Sequence, residues 1–441
     1  MCAVALACAL ALSGCADSLA GMSLPSLPKI QDINPFAEKE VPLPGKRIPV
    51  IQQENLSANL AAADKPMLLP SPQQNADWSQ PGGLATNAPG HLALAANVKT
   101  VWSADAGTGS SFYGKLTASP IVYDGKVITL DAAGKVTAFD VASGSTVWRA
   151  STTPANEKDQ EGFGGGLAAE NGRVYVATGY AQVLAFDAKS GNRLWERGIG
   201  APVRTSPTAA DERVYALTTD GRLYCLSGSD GAELWTFRGM SSPASLLFNA
   251  SPAVDGNIVV VPYPSGDLVA LRVPDGQAAW SDSLSRTRTG SSLAAMSDAA
   301  RPAIFNGTVY AVGHAGRMVA TVQKSGERVW SLTVPGTQTP WVAGDTVFVV
   351  DTGAQLMAIS RGDGKILWTT KLAGAKTWSG PVLAGGHLWL TSNKGQLAAV
   401  DPATGKVVTT QDLDTPIYIA PVVAGGRMFV FNDKARLIAL Q

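Results

Sequence analysis

The sequence predicts an all-β chain: an eight-bladed β-propeller of four-stranded antiparallel blades, its ring closed by an N-terminal strand that joins the C-terminal blade. Three observations carry this. A small residue is followed ten positions later by tryptophan at Ala138/Trp148, Ala185/Trp195, Cys225/Trp235, Ala270/Trp280, Ala320/Trp330 and Ala358/Trp368, with Ala399/Thr409 a degenerate seventh pair. The small residues are spaced 47, 40, 45, 50, 38, 41 and 40 positions apart, and a period in the forties belongs to propeller blades of about four strands. The array also begins with an unpaired tryptophan, Trp102, and ends with an unpaired small residue, Ala439, so one repeat is split between the two ends of the chain.

The chain opens on Met-Cys-Ala-Val-Ala-Leu-Ala-Cys-Ala-Leu-Ala-Leu-Ser-Gly-Cys. Its apolar stretch, Ala3 to Leu12, is too short to span a bilayer but suits the core of a signal peptide. No Lys or Arg precedes that core, which points to a translation start upstream of Met1. Leu12-Ser13-Gly14-Cys15 resembles a bacterial lipobox, in which Cys15 is acylated and becomes the new N-terminus. The expected domains are therefore a lipoprotein signal peptide over 1–14, a lipidated tether over 15–75 and a propeller over 76–441. Pro25, Pro28, Pro35, Pro42, Pro44, Pro49, Pro66, Pro70 and Pro72 punctuate the tether, which shows no sustained hydrophobic period. As a flexible chain of about sixty residues it would have a root-mean-square span on the order of 40 Å.

Each repeat supplies its own strands and turns. In the first, Ile121–Leu130, Val136–Asp140 and the run ending at Trp148 are apolar stretches parted by Asp124-Gly125, Gly134 and Ser143-Gly144. Such spacing gives tightly connected antiparallel strands. The same turn position is filled by Asn171-Gly172, Asp211-Glu212, Asp255-Gly256, Asn306-Gly307, Ala343-Gly344, Gly385-Gly386 and Gly425-Gly426. A small residue on the third strand leaves room for the large ring on the fourth, which makes Thr409 the mark of a weaker blade. The last repeat has strands near Ile417–Val423, Arg427–Phe431 and Arg436–Leu440 and then stops, so Lys99–Trp102 is expected to complete it and remove both free sheet edges.

Composition excludes several functions. Thirty-five basic residues balance 35 acidic ones, leaving no field to draw the chain to nucleic acid. After signal cleavage only Cys15 and Cys225 remain of the four cysteines, so no disulfide framework is available, and Cys225 reads as a small buried residue in the alanine position. The three histidines, His91, His314 and His387, lack metal-ligand spacing and read as polar loop residues. Gly162-Phe163-Gly164-Gly165-Gly166 reads as a flexible loop. Asp140, Asp187 and Asp401 recur at one repeat position, which points to turn hydrogen bonds rather than catalysis. No catalytic residue, metal site or cofactor is expected.

The unit Gln182-Val183-Leu184-Ala185-Phe186-Asp187-Ala188-Lys189-Ser190-Gly191-Asn192-Arg193-Leu194-Trp195 resembles the repeat of the pyrroloquinoline-quinone (PQQ) propellers. Two functions use that repeat: PQQ-dependent dehydrogenases, and the lipoprotein B subunits of the outer-membrane β-barrel assembly (Bam) complex. Lipobox, tether and a single eight-bladed body resemble the second. Trp78-Ser79-Gln80-Pro81-Gly82-Gly83, Gly90-His91-Leu92-Ala93-Leu94 and the tether run Pro42–Val50 look like its alphaproteobacterial branch. The resemblance implies a scaffold at the periplasmic face of the outer membrane, held there only by its lipid and otherwise monomeric. It also implies binding to the POTRA repeats of the barrel-forming subunit, with unfolded outer-membrane proteins as further partners.

That partner surface would lie in two loops. One corresponds to Ser245-Leu246-Leu247-Phe248-Asn249, where Leu246 matches the family's apolar residue and Leu247 stands in place of its arginine. The other corresponds to Met296–Ala300, where Asp298 is half of an acidic pair; Arg238 and Arg301 are candidates to supply the missing charge. Against the dehydrogenase alternative, the chain has no Asp- or Glu-dense cluster for calcium and no adjacent cysteines. A cell-wall-binding propeller is the third reading.

Overall fold

A computed structural model describes residues 67–112, 114–159, 161–239, 250–285, 299–314 and 316–441. The signal peptide, Cys15 and most of the tether lie outside them. Every regular element among the described residues is a β-strand, and the strands form eight four-stranded antiparallel sheets. The fold is the expected eight-bladed propeller. Blade one comprises Ile121–Tyr123, Lys126–Leu130, Lys135–Asp140 and Thr146–Ser151, hydrogen-bonded in that order. Blades two to seven repeat the plan, with first strands at Gly165–Glu170, Thr208–Ala210, Ala253–Asp255, Ala303–Phe305, Trp341–Ala343 and Trp378–Ala384. First strands of successive blades approach one another and so line the axis. Fourth strands are largely exposed, as an outer edge should be.

Blade eight joins the two ends of the array. Val422–Ala424, Arg427–Phe431 and Arg436–Leu440 are completed by Thr100–Asp105, with Trp102 opposite Ala439. Lys99 and Gln441 then exchange backbone bonds of 3.0 and 2.9 Å where other blades have a covalent turn. The two-residue turns between first and second strands have positive φ at both positions in Asp124-Gly125, Asn171-Gly172 and Asn306-Gly307, which is why Asp, Asn and Gly occupy them. Asp211-Glu212 adopts the same form (φ 51° and 58°) without glycine. The Glu170 carboxylate of the neighbouring blade holds it, accepting from both backbone N–H groups at 2.8 and 3.1 Å.

The alanine-to-tryptophan interval has two causes. Across the sheet the small residue lies between two rings: Tyr175, Ala185 and Trp195 stand side by side on strands two, three and four. The same trio recurs around Cys225, Ala320, Ala358 and Ala439, and in all five the rings meet with centroids 5.9–6.1 Å apart. Between blades, each tryptophan lies flat on a glycine of the next blade's third turn, where a Cβ would come within 2.5–2.9 Å of the indole. The pairs are Trp102/Gly144, Trp148/Gly191, Trp195/Gly231, Trp235/Gly276, Trp280/Gly326, Trp330/Gly364 and Trp368/Gly405. Each indole Nε1 also donates to a carbonyl of that blade at 2.7–3.1 Å, as Trp195 does to Gly228 O. Glycine and the tryptophan four residues on are thus the two halves of a lock passed from blade to blade. Thr409 fits this scheme rather than weakening it. The blade it faces is the eighth, which has no third turn, and its own blade carries the large ring on the second strand, as Trp389 opposite Ala399. Trp389 is fully buried and donates to Ala384 O at 3.0 Å.

Cys225 is buried as expected, and burial pushes its thiol up to about 12, which leaves it inert at neutral pH. Asp140 and Asp187 bind the backbone N–H and hydroxyl of Ser143 and Ser190 at 2.7–2.8 Å. These bonds hold both carboxyls below the usual range. Two expectations fail. Gly165 and Gly166 belong to the first strand of blade two, packed so closely that any side chain would strike Ala177 or Ser206. His91 is buried rather than on the surface. Its Nδ1 bonds to Pro70 O (2.7 Å) while Nε2 accepts from Gly386 N (3.1 Å).

Candidate functional site

The first strands ring a channel whose two mouths differ. At the mouth beside the first turns, residues 75–92 travel once around the inside of the ring and bond to every blade. Asn75 takes blade eight, donating its side chain to Val423 O and accepting from Gly425 N, both at 2.7 Å. Trp78 exchanges bonds of 2.7 and 2.9 Å with Val122 of blade one, and Ser79 O accepts from Ala169 N of blade two at 2.8 Å. The Gln80 amide spans Ala209 of blade three, donating to its O (2.8 Å) and accepting from its N (3.1 Å). Ala85 and Thr86 carbonyls accept from Val254 and Ile304 of blades four and five, each at 2.8 Å. Gly90 O accepts the Trp341 indole of blade six (2.8 Å), and Leu92 pairs with Leu383 and Gly385 of blade seven (3.1 and 2.9 Å).

This hub answers a need of the fold. First strands present unpaired N–H and C=O groups toward the axis, and buried backbone groups require partners. The local sequence suits the task. Gly82 has no room for a side chain beside Asn87, Gly83 sits at φ 90°, and Trp78 stacks on Trp341 across the axis at 6.1 Å. Residues 67–75, assigned by composition to the tether, also lie on the ring: Met67 and Leu69 pack against its core, and Gln73 pairs with Leu92. Proline content marked them as tether, whereas their bonds to the hub place them with the propeller.

The other mouth opens into a cavity of about 370 Å³. Its walls come from Ser379 in the first strand of blade seven and from the connections that lead into first strands, including Leu116, Arg301, Thr339 and Ile419. Among the described residues two large aromatics are exposed on these connections, Phe112 (92%) and Tyr418 (51%). Leu246, Leu247 and Asp298 lie outside the described residues. They belong to segments of the same kind, linking the outer strand that ends at Arg238 to blade four and the outer strand that ends at Ser283 to blade five. The two arginines proposed to supply charge there are placed differently: Arg238 is exposed at a strand end, while Arg301 faces the channel cavity. Among the described residues no group of three or more His, Cys, Asp or Glu is arranged to hold a metal.

The family model described as outer membrane protein assembly factor BamB matches residues 92–162, 132–370 and 361–441. The chain belongs to the BamB family. Outer membrane protein assembly factor BamB of Yersinia pestis is 26% identical over 73% of this chain and 82% of its own length. That of Escherichia coli K12 is 27% identical over 72% and 81%. The crystal structure of BamB from Moraxella catarrhalis covers 78% of this chain and 100% of its own at TM-score 0.66 and 16% identity. A europium-containing methanol dehydrogenase covers 83% and 98% at TM-score 0.64 and 14% identity, a likeness of fold alone. Sequence reasoning singled out Trp78–Gly83 as resembling this family without seeing that it forms the hub. The signal was present: a tryptophan outside the ten-residue rule, followed by Ser-Gln-Pro-Gly-Gly.

Proposed function

We propose that the protein is a non-catalytic scaffold lipoprotein of the outer-membrane β-barrel assembly complex. It is anchored through acylated Cys15 to the periplasmic face of the outer membrane. It binds the POTRA repeats of the barrel-forming subunit through the rim around the open mouth, where Leu246, Leu247 and Asp298 fall in sequence, and it aids folding and insertion of outer-membrane proteins. The observation that carries this reading is membership in a family of outer membrane protein assembly factors, matched across the whole ring. Two features support the choice of rim. Exposed Phe112 and Tyr418 give it apolar surface of the kind that marks protein contacts. The opposite mouth is filled by the hub. With residues 67–75 docked on the ring, the tether of this reading spans residues 15–66.

Co-purification from detergent-solubilised membranes tests it: the barrel-forming subunit accompanies the protein, and its repeated absence would defeat the scaffold role. Asp298→Arg with Leu246→Glu weakens that capture while the circular dichroism spectrum stays unchanged. Unaltered capture by the double variant would move the interface to another part of the ring.

A further inference from the structure

Arg301 leads into the first strand of blade five and lines the cavity at the open mouth. Its Nε and Nη1 are buried and have no hydrogen-bond partner among the described residues. A guanidinium is charged at every physiological pH and pairs with an anion wherever water is withheld from it. Burial lowers its pKa only to about 10, so the charge persists. Among the described residues the cavity wall carries one carboxylate, Asp433, which accepts from the Ser110 hydroxyl at 2.5 Å, and a second positive charge, Lys115. The remaining wall is part hydroxyl and amide, with Gln338 and Thr339, and part apolar, with Leu116 and Ile419. The hub closes the far end of the channel, so a ligand enters and leaves by one mouth.

We propose that this blind socket binds a small organic carboxylate, end-on, with the anion on Arg301 and an apolar group against Leu116 and Ile419. A single guanidinium with one ammonium suits a monoanion, and the mixed walls favour an amphipathic acid over inorganic phosphate. At about 370 Å³ the socket holds a compact acid or the terminal residues of an extended chain. The carboxylate is therefore either that of a free metabolite or that of a polypeptide C-terminus.

Calorimetric titration of the purified full-length protein separates these sources. The probes are benzoate, inorganic phosphate, and a pentapeptide ending in phenylalanine with either a free or an amidated C-terminus. Benzoate binding establishes the socket. If the free-ended peptide binds about tenfold tighter than benzoate, a chain terminus is the source, and amidation then costs about thirtyfold. If the peptide binds no better than benzoate, the source is a free acid. In Arg301→Gln, benzoate affinity falls about thirtyfold with the fold intact, whereas Arg238→Gln, on the exposed strand end, leaves it unchanged. The proposal is overturned if no carboxylate binds, if phosphate binds in preference to benzoate, or if Arg301→Gln binds benzoate as the parent does. Should Arg301→Gln fail to fold, Arg301→Lys keeps the charge but loses the planar donors. Its benzoate affinity then falls, and an unchanged value overturns the assignment.

Discussion

The repeat pattern by itself recommends replacing Thr409 with tryptophan, and the structure predicts that this fails. Seven tryptophans are received by a glycine in the next blade, and the contact has two parts. For Trp195, 9% exposed, burial of a ring covering about 150–250 Å² at about 25 cal/mol per Å² gives an upper figure of about 4–6 kcal/mol. Its bond to Gly228 O at 3.0 Å adds about 1 kcal/mol. Large-to-small substitutions of aromatic core residues cost about 3–5 kcal/mol, so Trp195→Ala is expected to fall in that range. Thr409→Trp gains neither part. The eighth blade offers no turn glycine, because Lys99 and Gln441 close it by hydrogen bonds alone. The space across Ala399 is already filled by Trp389. The expected change is within about 0.5 kcal/mol of zero or destabilising. Urea unfolding of both variants, followed by tryptophan fluorescence, gives the comparison from the midpoints at constant slope. If Thr409→Trp raises the midpoint by as much as Trp195→Ala lowers it, the inter-blade lock is the wrong account of the motif.

Further expectations concern the hub and the turn carboxylates. Gln80→Leu removes two bonds and strands the Ala209 N–H and C=O. A loss of about 2–4 kcal/mol is expected from unfolding curves; a change below about 0.5 kcal/mol, the usual size at unremarkable surface positions, would show that the hub does not hold the ring. The turn carboxylates set an acid limit. Hydrogen bonds from Ser360 and then Lys365 lower Asp363 to about 2, and Asp140 and Asp187 are lowered by Ser143 and Ser190. Depressed folded values stabilise the protein above the ordinary 3.8, and that contribution is lost as pH falls from 3.8 toward about 2. Melting temperature is therefore expected to fall over that window, less steeply in Asp363→Asn; equal slopes would remove Asp363 from the account.

The fold was legible because its signals are local and repeated. Asn-Gly and Asp-Gly turns, the ten-residue interval and the split repeat each follow from contacts within one blade, between neighbouring blades or from simple chain order, so Thr100–Asp105 could be assigned to blade eight from Trp102 alone. The hub was not legible. Its partners are single edge residues on eight blades, such as Val122, Ala169 and Ala209, scattered over more than 300 positions, and the run itself has no alternation to betray a strand. His91 and the turn Asp211-Glu212 were misjudged or unexplained for the same reason, since Gly386 and Glu170, which hold them, are distant in sequence. Arg301 could be named as a charge but not placed. Only the packing of five blades shows that it points into the channel rather than toward a partner on the rim.

Residues 67–105 close the ring twice, once at the axis through the hub and once at the circumference through the fourth strand of blade eight. A strand exchanged at the circumference alone can peel from one edge. Here peeling Thr100–Asp105 leaves residues 75–92 still bonded to all eight blades, so the two closures must fail together for the ring to open. The arrangement also fixes a direction. The chain reaches the ring at the plugged mouth, where Leu68 lies against Gly344 in the first turn of blade six.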